Sequence, residues 1–294
     1  MKVGFVGAGR MGRPIIDRLV AAGHELTVLT RRPEARAAAE NAGLTCAGSV
    51  RETVRDAQVV FNVVLDDAQV RAALLGEEGA IGAMPVGAIL VQHTTCDPRT
   101  ALSVATAGAG RGVRVLDAAI SGTPGDIADG QLTLWVGGEE AALDEIRPLL
   151  DTYASPIMFV GPVGNGQRVK LVNNALFVAQ VGLAVDAVRL AGSMGISEPQ
   201  ILAAVQQGSG GSRALGSVAS IGVEALGPRL AALMSKDVSV VREVSKRSGV
   251  DLGLLGDVLG SAVVERQILA AGVASAPARD GEPASPAPAR PADG

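Results

Sequence analysis

Lys170 and Asn174 stand four residues apart in the run Gly166 to Asn174 (GQRVKLVNN), a spacing that stacks both side chains on one face of a helix. One side chain can deliver a proton while its neighbour orients the same oxygen. Hydride transfer to a carbonyl leaves an alkoxide, which needs a proton donor within hydrogen-bond distance. A lysine partly desolvated in a cleft can be tuned toward neutral pH for that task, and in reverse its neutral amine accepts the hydroxyl proton. Ser121 and Gly122 follow an expected strand, Arg114 to Asp117, and stand where open α/β sheets bind ligands. Their hydroxyl and backbone N–H suit a carboxylate.

Such chemistry requires a hydride carrier, and the first turn of the chain fits one. Gly7, Gly9 and Gly12, with Ala8, Arg10 and Met11 between them, form a GxGxxG spacing directly after an apolar run and before a helical pattern. Two glycines let the turn close and the backbone approach a pyrophosphate, and the third lets helix and strand pack. The helix N-terminus adds free N–H groups and a positive dipole end. The second expected strand ends in Thr30, Arg31 and Arg32, where an acidic residue would accept the ribose hydroxyls of NAD. Two guanidinium groups instead favour the 2'-phosphate of NADP; solvated loop arginines are the alternative.

The elements that must position these groups alternate short β-branched runs with longer helical patterns, the signature of parallel strands joined by crossover helices. Expected strands are Lys2 to Val6, Glu25 to Leu29, Val59 to Val64, Ala88 to Gln92, Arg114 to Asp117, Leu132 to Val136 and Ile157 to Phe159. After the glycine-punctuated loop from Gly161 to Gly166 the texture turns helical, with a proline-free run from Gln167 to Met194 and helix starts expected at Pro199 and Pro228. The reading is α/β, a Rossmann-type doubly wound parallel sheet over residues 1–162, followed by an all-α domain over 163–275. Residues 276–294 hold five prolines and no Val, Ile, Leu or aromatic side chain; a flexible tail without catalytic duty is expected.

Composition narrows the partners. The net charge of -4 and the 2% aromatic content argue against a nucleic-acid binder, which needs a basic footprint and rings for stacking. Cys46 and Cys96 lack metal-ligand spacing and read as reduced small hydrophobes. His24, at a helix end, and His93 have no ligand neighbours, so no metal is expected. The apolar run after Met1 and Lys2 is too short for a signal peptide, which points to the cytoplasm. The longest apolar stretch, Ala175 to Val185, is interrupted by Gln180 and Gly182 and is about half of a ~20-residue membrane span. The surplus apolar surface of the run from Gln167 to Met194 suggests a subunit interface in a homodimer or homotetramer.

Residues 4–19, GFVGAGRMGRPIIDRL, closely resemble the opening of the β-hydroxyacid dehydrogenases, the group of 3-hydroxyisobutyrate, tartronate semialdehyde, succinic semialdehyde and 6-phosphogluconate enzymes. Three further segments match in order: Asp117 to Gly138, similar to the substrate-binding segment; Gly161 to Asn174, similar to the catalytic segment; and the pair Lys236-Asp237. The resemblance implies Lys170 as acid/base supported by Asn174, and Ser121, Gly122 and Thr123 as holders of a small substrate's acid group. It implies Lys236 as a second cation over the cofactor and substrate cleft, a surface salt bridge to Asp237 being the alternative. With topology, it places Val64, Leu65 and Thr94 as nicotinamide-side walls. Thr123 replaces a usual glycine, and Asp126 and Ile127 replace a usual Gly-Ala pair, implying a larger and more acidic wall. The expected activity is NADP-dependent interconversion of a small hydroxy acid and its aldehyde or keto acid. Imine reductases resemble the same family but generally lack the lysine, and the helical region is short for phosphogluconate enzymes. A non-catalytic NADP-binding sensor or scaffold would not need Lys170 and Asn174 together.

Overall fold

The computed structural model describes residues 1–31, 33–41 and 43–269. Arg32 and the tail expected at 276–294 lie outside them. The strands are β1 (Lys2–Val6), β2 (Glu25–Leu29), β3 (Thr45–Ala47), β4 (Val59–Asn62), β5 (Ile89–Gln92), β6 (Arg114–Ser121), β7 (Leu132–Gly137) and β8 (Ala154–Phe159). Between them run α1 (Gly12–Ala21), α2 (Pro33–Asn41), α3 (Val50–Val54), α4 (Asp67–Leu74), α5 (Pro98–Ala109), α6 (Pro124–Ala128) and α7 (Glu140–Leu150). The strands form one sheet in the order β3-β2-β1-β4-β5-β6-β7-β8. Val59 and Phe61 pack with Phe5, Ile15 and Leu116 on one face, and Val60 packs with Val6, Leu74 and Leu90 on the other. Strands buried on both faces read as continuous apolar runs, which makes VVFN and ILVQ legible. The three-residue edge strand β3 has no such run, and the sequence reading omitted it.

Pairing is parallel except between β6 and β7, so the doubly wound parallel sheet carries one antiparallel step. Only the ten residues 122–131 join these two strands, and a parallel crossover needs a dozen or more. The reversed partner also lengthens β6. Residues Arg114 to Asp117 pair with β5, while Asp117 to Ser121 pair with β7, so Ser121 is the last strand residue and does not follow a strand ending at Asp117.

Helices α8 (Asn165–Ser193), α9 (Glu198–Gln206), α10 (Arg213–Ile221), α11 (Val223–Ser248) and α12 (Leu254–Leu259) follow, then a π-helical turn, Val263–Leu269. Helix α11 begins before Pro228: Gly222, at φ 84°, ends α10, and Glu198 accepts the Val223 N–H at 3.0 Å. Helix α8 is 29 residues long, and its best 18-residue window has a mean hydropathy of 1.6. By length and composition it matches a membrane span, which corrects the half-length reading of Ala175 to Val185; 44% of that window is buried inside the protein. Gly182 does not interrupt it, because the missing side chain makes room for Val264, whose Cγ2 lies 2.6 Å from where a Cβ would stand. By packing, the chain divides into one unit of Met1–Phe177 with Lys236–Asp251 and a second of Val178–Ser235 with the residues from Leu252. Lys170, Asn174 and Lys236 all belong to the first unit.

Candidate active site

The three glycines of the first turn do three different things. Gly7 has φ 108°, and a Cβ there would stand 2.1 Å from the Val63 carbonyl oxygen; a Cβ on Gly12 would stand 2.0 Å from the Gly7 oxygen. Gly9 faces open space, with nothing within 4 Å of its Cβ position, which leaves the backbone free for the close approach of a pyrophosphate. Ala8, Arg10 and Met11 complete a turn that opens α1 without a side-chain cap, so its N–H groups stay available to an anion. At the end of β2, Thr30 is buried with an unpartnered hydroxyl oxygen, and Arg31 is exposed with no hydrogen bond or ion pair among the described residues. An open cradle, an orphaned hydroxyl and an unengaged guanidinium fit a dinucleotide.

The expected nicotinamide-side walls converge. The Thr94 hydroxyl accepts the Val64 N–H at 2.9 Å and donates to the Val64 carbonyl at 3.1 Å, tying the loop after β4 to the loop after β5. Lys236 on α11 straps the same loops: its Nζ donates to the Leu65 oxygen at 2.9 Å and to the Thr95 oxygen at 3.4 Å. Its Nζ also lies 3.8 Å from Asp237 Oδ1, so the salt bridge is present alongside the strap.

On α8, Asn174 is buried and its Nδ2 donates to Asp237 Oδ2 at 2.5 Å, while its Oδ1 accepts from Asn173 at 3.1 Å. Lys170, one turn before, is partly buried and makes no hydrogen bond or ion pair within 4.0 Å among the described residues. Burial lowers its pKa to about 8, with Lys236 pushing the same way and Asp237 opposing. Asp237 is held above the ordinary carboxylate range by its own burial, against Lys236, Asn174 and Lys170. The result is an amine able to exist in both charge states near neutrality, beside an amide oriented by a buried carboxyl. Asp237 is thus part of the cluster, where the sequence offered it only as a salt-bridge partner of Lys236.

The turn that carries Lys170 is fixed by two residues that the sequence reading did not single out. Gln167, three residues earlier and fully buried, donates its backbone N–H to Asp117 Oδ2 at 3.0 Å and accepts the Cys96 N–H on its Oε1 at 2.9 Å. Gly166 permits the approach, since a Cβ there would stand 2.2 Å from the Asp117 carbonyl oxygen. Asp117 thus caps α8 from the centre of the sheet. Its burial raises its pKa to about 7 from 3.8, and its Oδ1 has no partner. A carboxyl whose folded pKa is raised takes up a proton on folding, so its contribution to stability declines as pH climbs from about 4 to about 7. We expect Asp117→Asn to remove that slope. Its melting temperature relative to wild type is then higher at pH 8 than at pH 5; an equal difference at both would contradict this.

Ser121 and Gly122 close β6, and neither the Ser121 hydroxyl nor the Gly122 N–H has a partner among the described residues. Thr123 differs. Its N–H and hydroxyl both donate to Asp126 Oδ2, at 2.6 and 2.8 Å, so its donors are engaged. Ile127 is buried in the core, which corrects its expected place on the wall. Neither residue of the turn nor Thr123 hydrogen-bonds Lys170 or Asn174. His93 is buried between the Ala118 oxygen (2.5 Å) and the Tyr153 hydroxyl (2.9 Å), and burial lowers its pKa to about 4: a neutral structural histidine. His24 Nδ1 lies 3.4 Å from the terminal amine, and its backbone N–H donates to the Leu19 carbonyl at 3.1 Å, closing the end of α1.

Residues 2–161 match the family described as the NAD binding domain of 6-phosphogluconate dehydrogenase, and residues 164–275 match the one described as NAD-binding of NADP-dependent 3-hydroxyisobutyrate dehydrogenase. The chain is 30% identical over 257 residues to an NAD-dependent L-serine dehydrogenase of Pseudomonas aeruginosa, covering 84% of this chain and 86% of that one. The structure of a Mycobacterium tuberculosis 3-hydroxyisobutyrate dehydrogenase with L-serine superposes with a TM-score of 0.79 at 26% identity, covering 87% and 90% of the two chains. A Streptomyces aurantiacus imine reductase, 20% identical with a TM-score of 0.64 over 93% and 99%, shares the fold.

Proposed function

Since this chain belongs to the β-hydroxyacid dehydrogenase family and is an oxidoreductase with a nicotinamide dinucleotide site, we propose that it is NADP-dependent and interconverts a small β-hydroxy acid and its semialdehyde or keto acid. The observation that carries the reading is the partly buried Lys170 amine with its pKa near 8, unpaired beside Asn174. The nicotinamide, when bound, supplies or accepts the hydride. As a substrate carbonyl gains that hydride its oxygen becomes an alkoxide, and the Lys170 ammonium passes a proton to it; in oxidation the neutral amine takes the hydroxyl proton. Asn174, its amide fixed by Asp237, orients the same oxygen. Ser121 and Gly122 offer two free donors to the substrate's acid group.

Arg31 supports NADP, with its free guanidinium at the end of β2 and no carboxylate among Thr30, Arg31 and Arg32 to receive ribose hydroxyls. The retained lysine favours C=O over C=N reduction. Absorbance at the reduced-nicotinamide band, with NADP+ and a panel of small β-hydroxy acids, tests the reading. Turnover with at least one is expected, and none with any would return the chain to a nucleotide-binding module.

Self-association is part of the same proposal. Leu183, Leu190 and Met194 are exposed along α8 at spacings of seven and four, a stripe on one face of the helix that a second copy can cover. Sedimentation at micromolar concentration should give a dimer or larger species; a monomer would refute it.

A further inference from the structure

We propose that Arg247 and Lys236 form a two-point clasp through which α11 holds the loops after β4 and β5 at the separation the nicotinamide ring needs, which makes Arg247 a positioning residue of the cofactor site. The inference rests on the dinucleotide site, not on the substrate or on the choice between NADP and NAD. A dinucleotide lies across the point where the strand order reverses, here between β1 and β4. With its adenosine half at the glycine turn and the end of β2, its nicotinamide half falls over the ends of β4 and β5. The loops that follow those strands are tied to each other: Thr94 and Val64 exchange hydrogen bonds, and the Asp97 N–H donates to Asp67 Oδ1 at 2.9 Å. Residues 236–251 of α11 belong to the same unit as the sheet and fasten both loops. Lys236 Nζ donates to the Leu65 and Thr95 oxygens. Eleven residues later, Arg247 sets both ends of its guanidinium on one carboxylate, Nη1 3.2 Å from Asp97 Oδ2 and Nη2 3.4 Å from Asp97 Oδ1.

The spacing of the two cations is what joins them into one device. Eleven residues are three helical turns, so both side chains leave α11 on one face, about 16 Å apart. An ammonium has three donors, and three protein oxygens surround the one on Lys236: those of Leu65 and Thr95, and Asp237 Oδ1 at 3.8 Å. Lys236 thus directs its charge at the protein's own loops, whereas the resemblance implies a cation for the ligand. Arg247 cannot be such a cation, because it stands three turns away with its fork filled by Asp97. An effect on the nicotinamide that both residues share therefore has to pass through the loops. The side chains of Arg247 and Asp97 are 29% and 16% exposed, sheltered enough that solvent does not fully screen the pair. A staple that only added stability would leave ligand binding alone, and that difference can be measured.

Calorimetric titration of the full chain with NADPH and with adenosine 2',5'-bisphosphate, which keeps the adenosine half and lacks the nicotinamide, makes the test. Arg247→Met should weaken NADPH by about three- to fivefold, the upper range for a partly exposed ion pair, and leave the bisphosphate unchanged; Arg247→Lys should recover most of the loss. Asp97→Asn keeps an oxygen for the Arg99 N–H at the start of α5 and should copy Arg247→Met. Lys236→Met should weaken NADPH by about tenfold or more. In the ligand-free protein, hydrogen exchange at the Leu65 and Asp97 amides should quicken in both methionine variants. If the wild type prefers NADH, then NADH and ADP form the equivalent pair. Melting curves identify any variant that fails to fold. A folded Arg247→Met with wild-type NADPH affinity, an equal loss of NADPH and bisphosphate, or a loss confined to Lys236→Met overturns the inference, the last by returning that lysine to the ligand. A wild type that binds neither nucleotide sinks the clasp together with the cofactor site. None of these readouts needs turnover, so the clasp can stand where the hydroxy-acid reaction fails, and fail where that reaction stands.

Discussion

Lys170→Ala should lower kcat by about 10²–10⁴-fold, the usual contribution of a positioned general acid or base, with little change in affinity for NADP(H). The expectation follows from place and environment. Lys170 lies on the first turns of a helix pinned by Asp117 and Gln167, its amine is unpaired among the described residues, and its neighbour Asn174 is locked to Asp237. Lys170→Arg should be nearly as damaging, because a guanidinium keeps the charge but does not give up its proton at any working pH. A purely electrostatic role for Lys170 would let arginine retain most of the rate. Steady-state kinetics of the two variants, with cofactor affinity measured by fluorescence quenching, separates these outcomes.

Arg31→Glu should collapse the preference for NADP over NAD by about 10²-fold in kcat/KM. Charge-assisted hydrogen bonds to a phosphate contribute about 1.5–3 kcal/mol, roughly tenfold to a hundredfold, and the new carboxylate adds repulsion toward the 2'-phosphate while offering an acceptor to the ribose hydroxyls of NAD. Arg31 has no protein partner to lose, so the substitution should leave the melting temperature of the unliganded protein close to wild type. Parallel kinetics with the two cofactors check it; an unchanged ratio would mean that the arginine is a solvated loop residue.

The cofactor half of the site could be read from the residues because local rules govern it. A glycine triplet between a strand and a helix has one geometry, and the contacts of Gly7 and Gly12 show why no other residue fits. Lys170 and Asn174 were legible for the same reason, since helical spacing fixes their common face. What escaped the sequence is long-range. Asp117 and Gln167 are 50 positions apart, and nothing local distinguishes a carboxylate that ends a strand from one that caps a distant helix. Asp126 was placed on a wall by the resemblance, although Thr123 and Asp126 carry the local i, i+3 spacing of a helix capping box, which the structure forms. Ile127 looked like its partner on that wall, yet one residue's rotation along α6 turns it into the core. The edge strand β3 is too short for any periodicity to form.

The central claim is that the Lys170 amine exchanges a proton with the reacting oxygen, and the pH dependence of kcat/KM for hydroxy-acid oxidation tests it most directly. Oxidation uses the neutral amine, so the rate should rise about tenfold per pH unit and level off above about pH 8, where the amine's lowered pKa lies. The residual rate of Lys170→Ala should lack that limb. A wild-type profile flat from pH 6 to pH 9, or a limb that persists in Lys170→Ala, would contradict the mechanism.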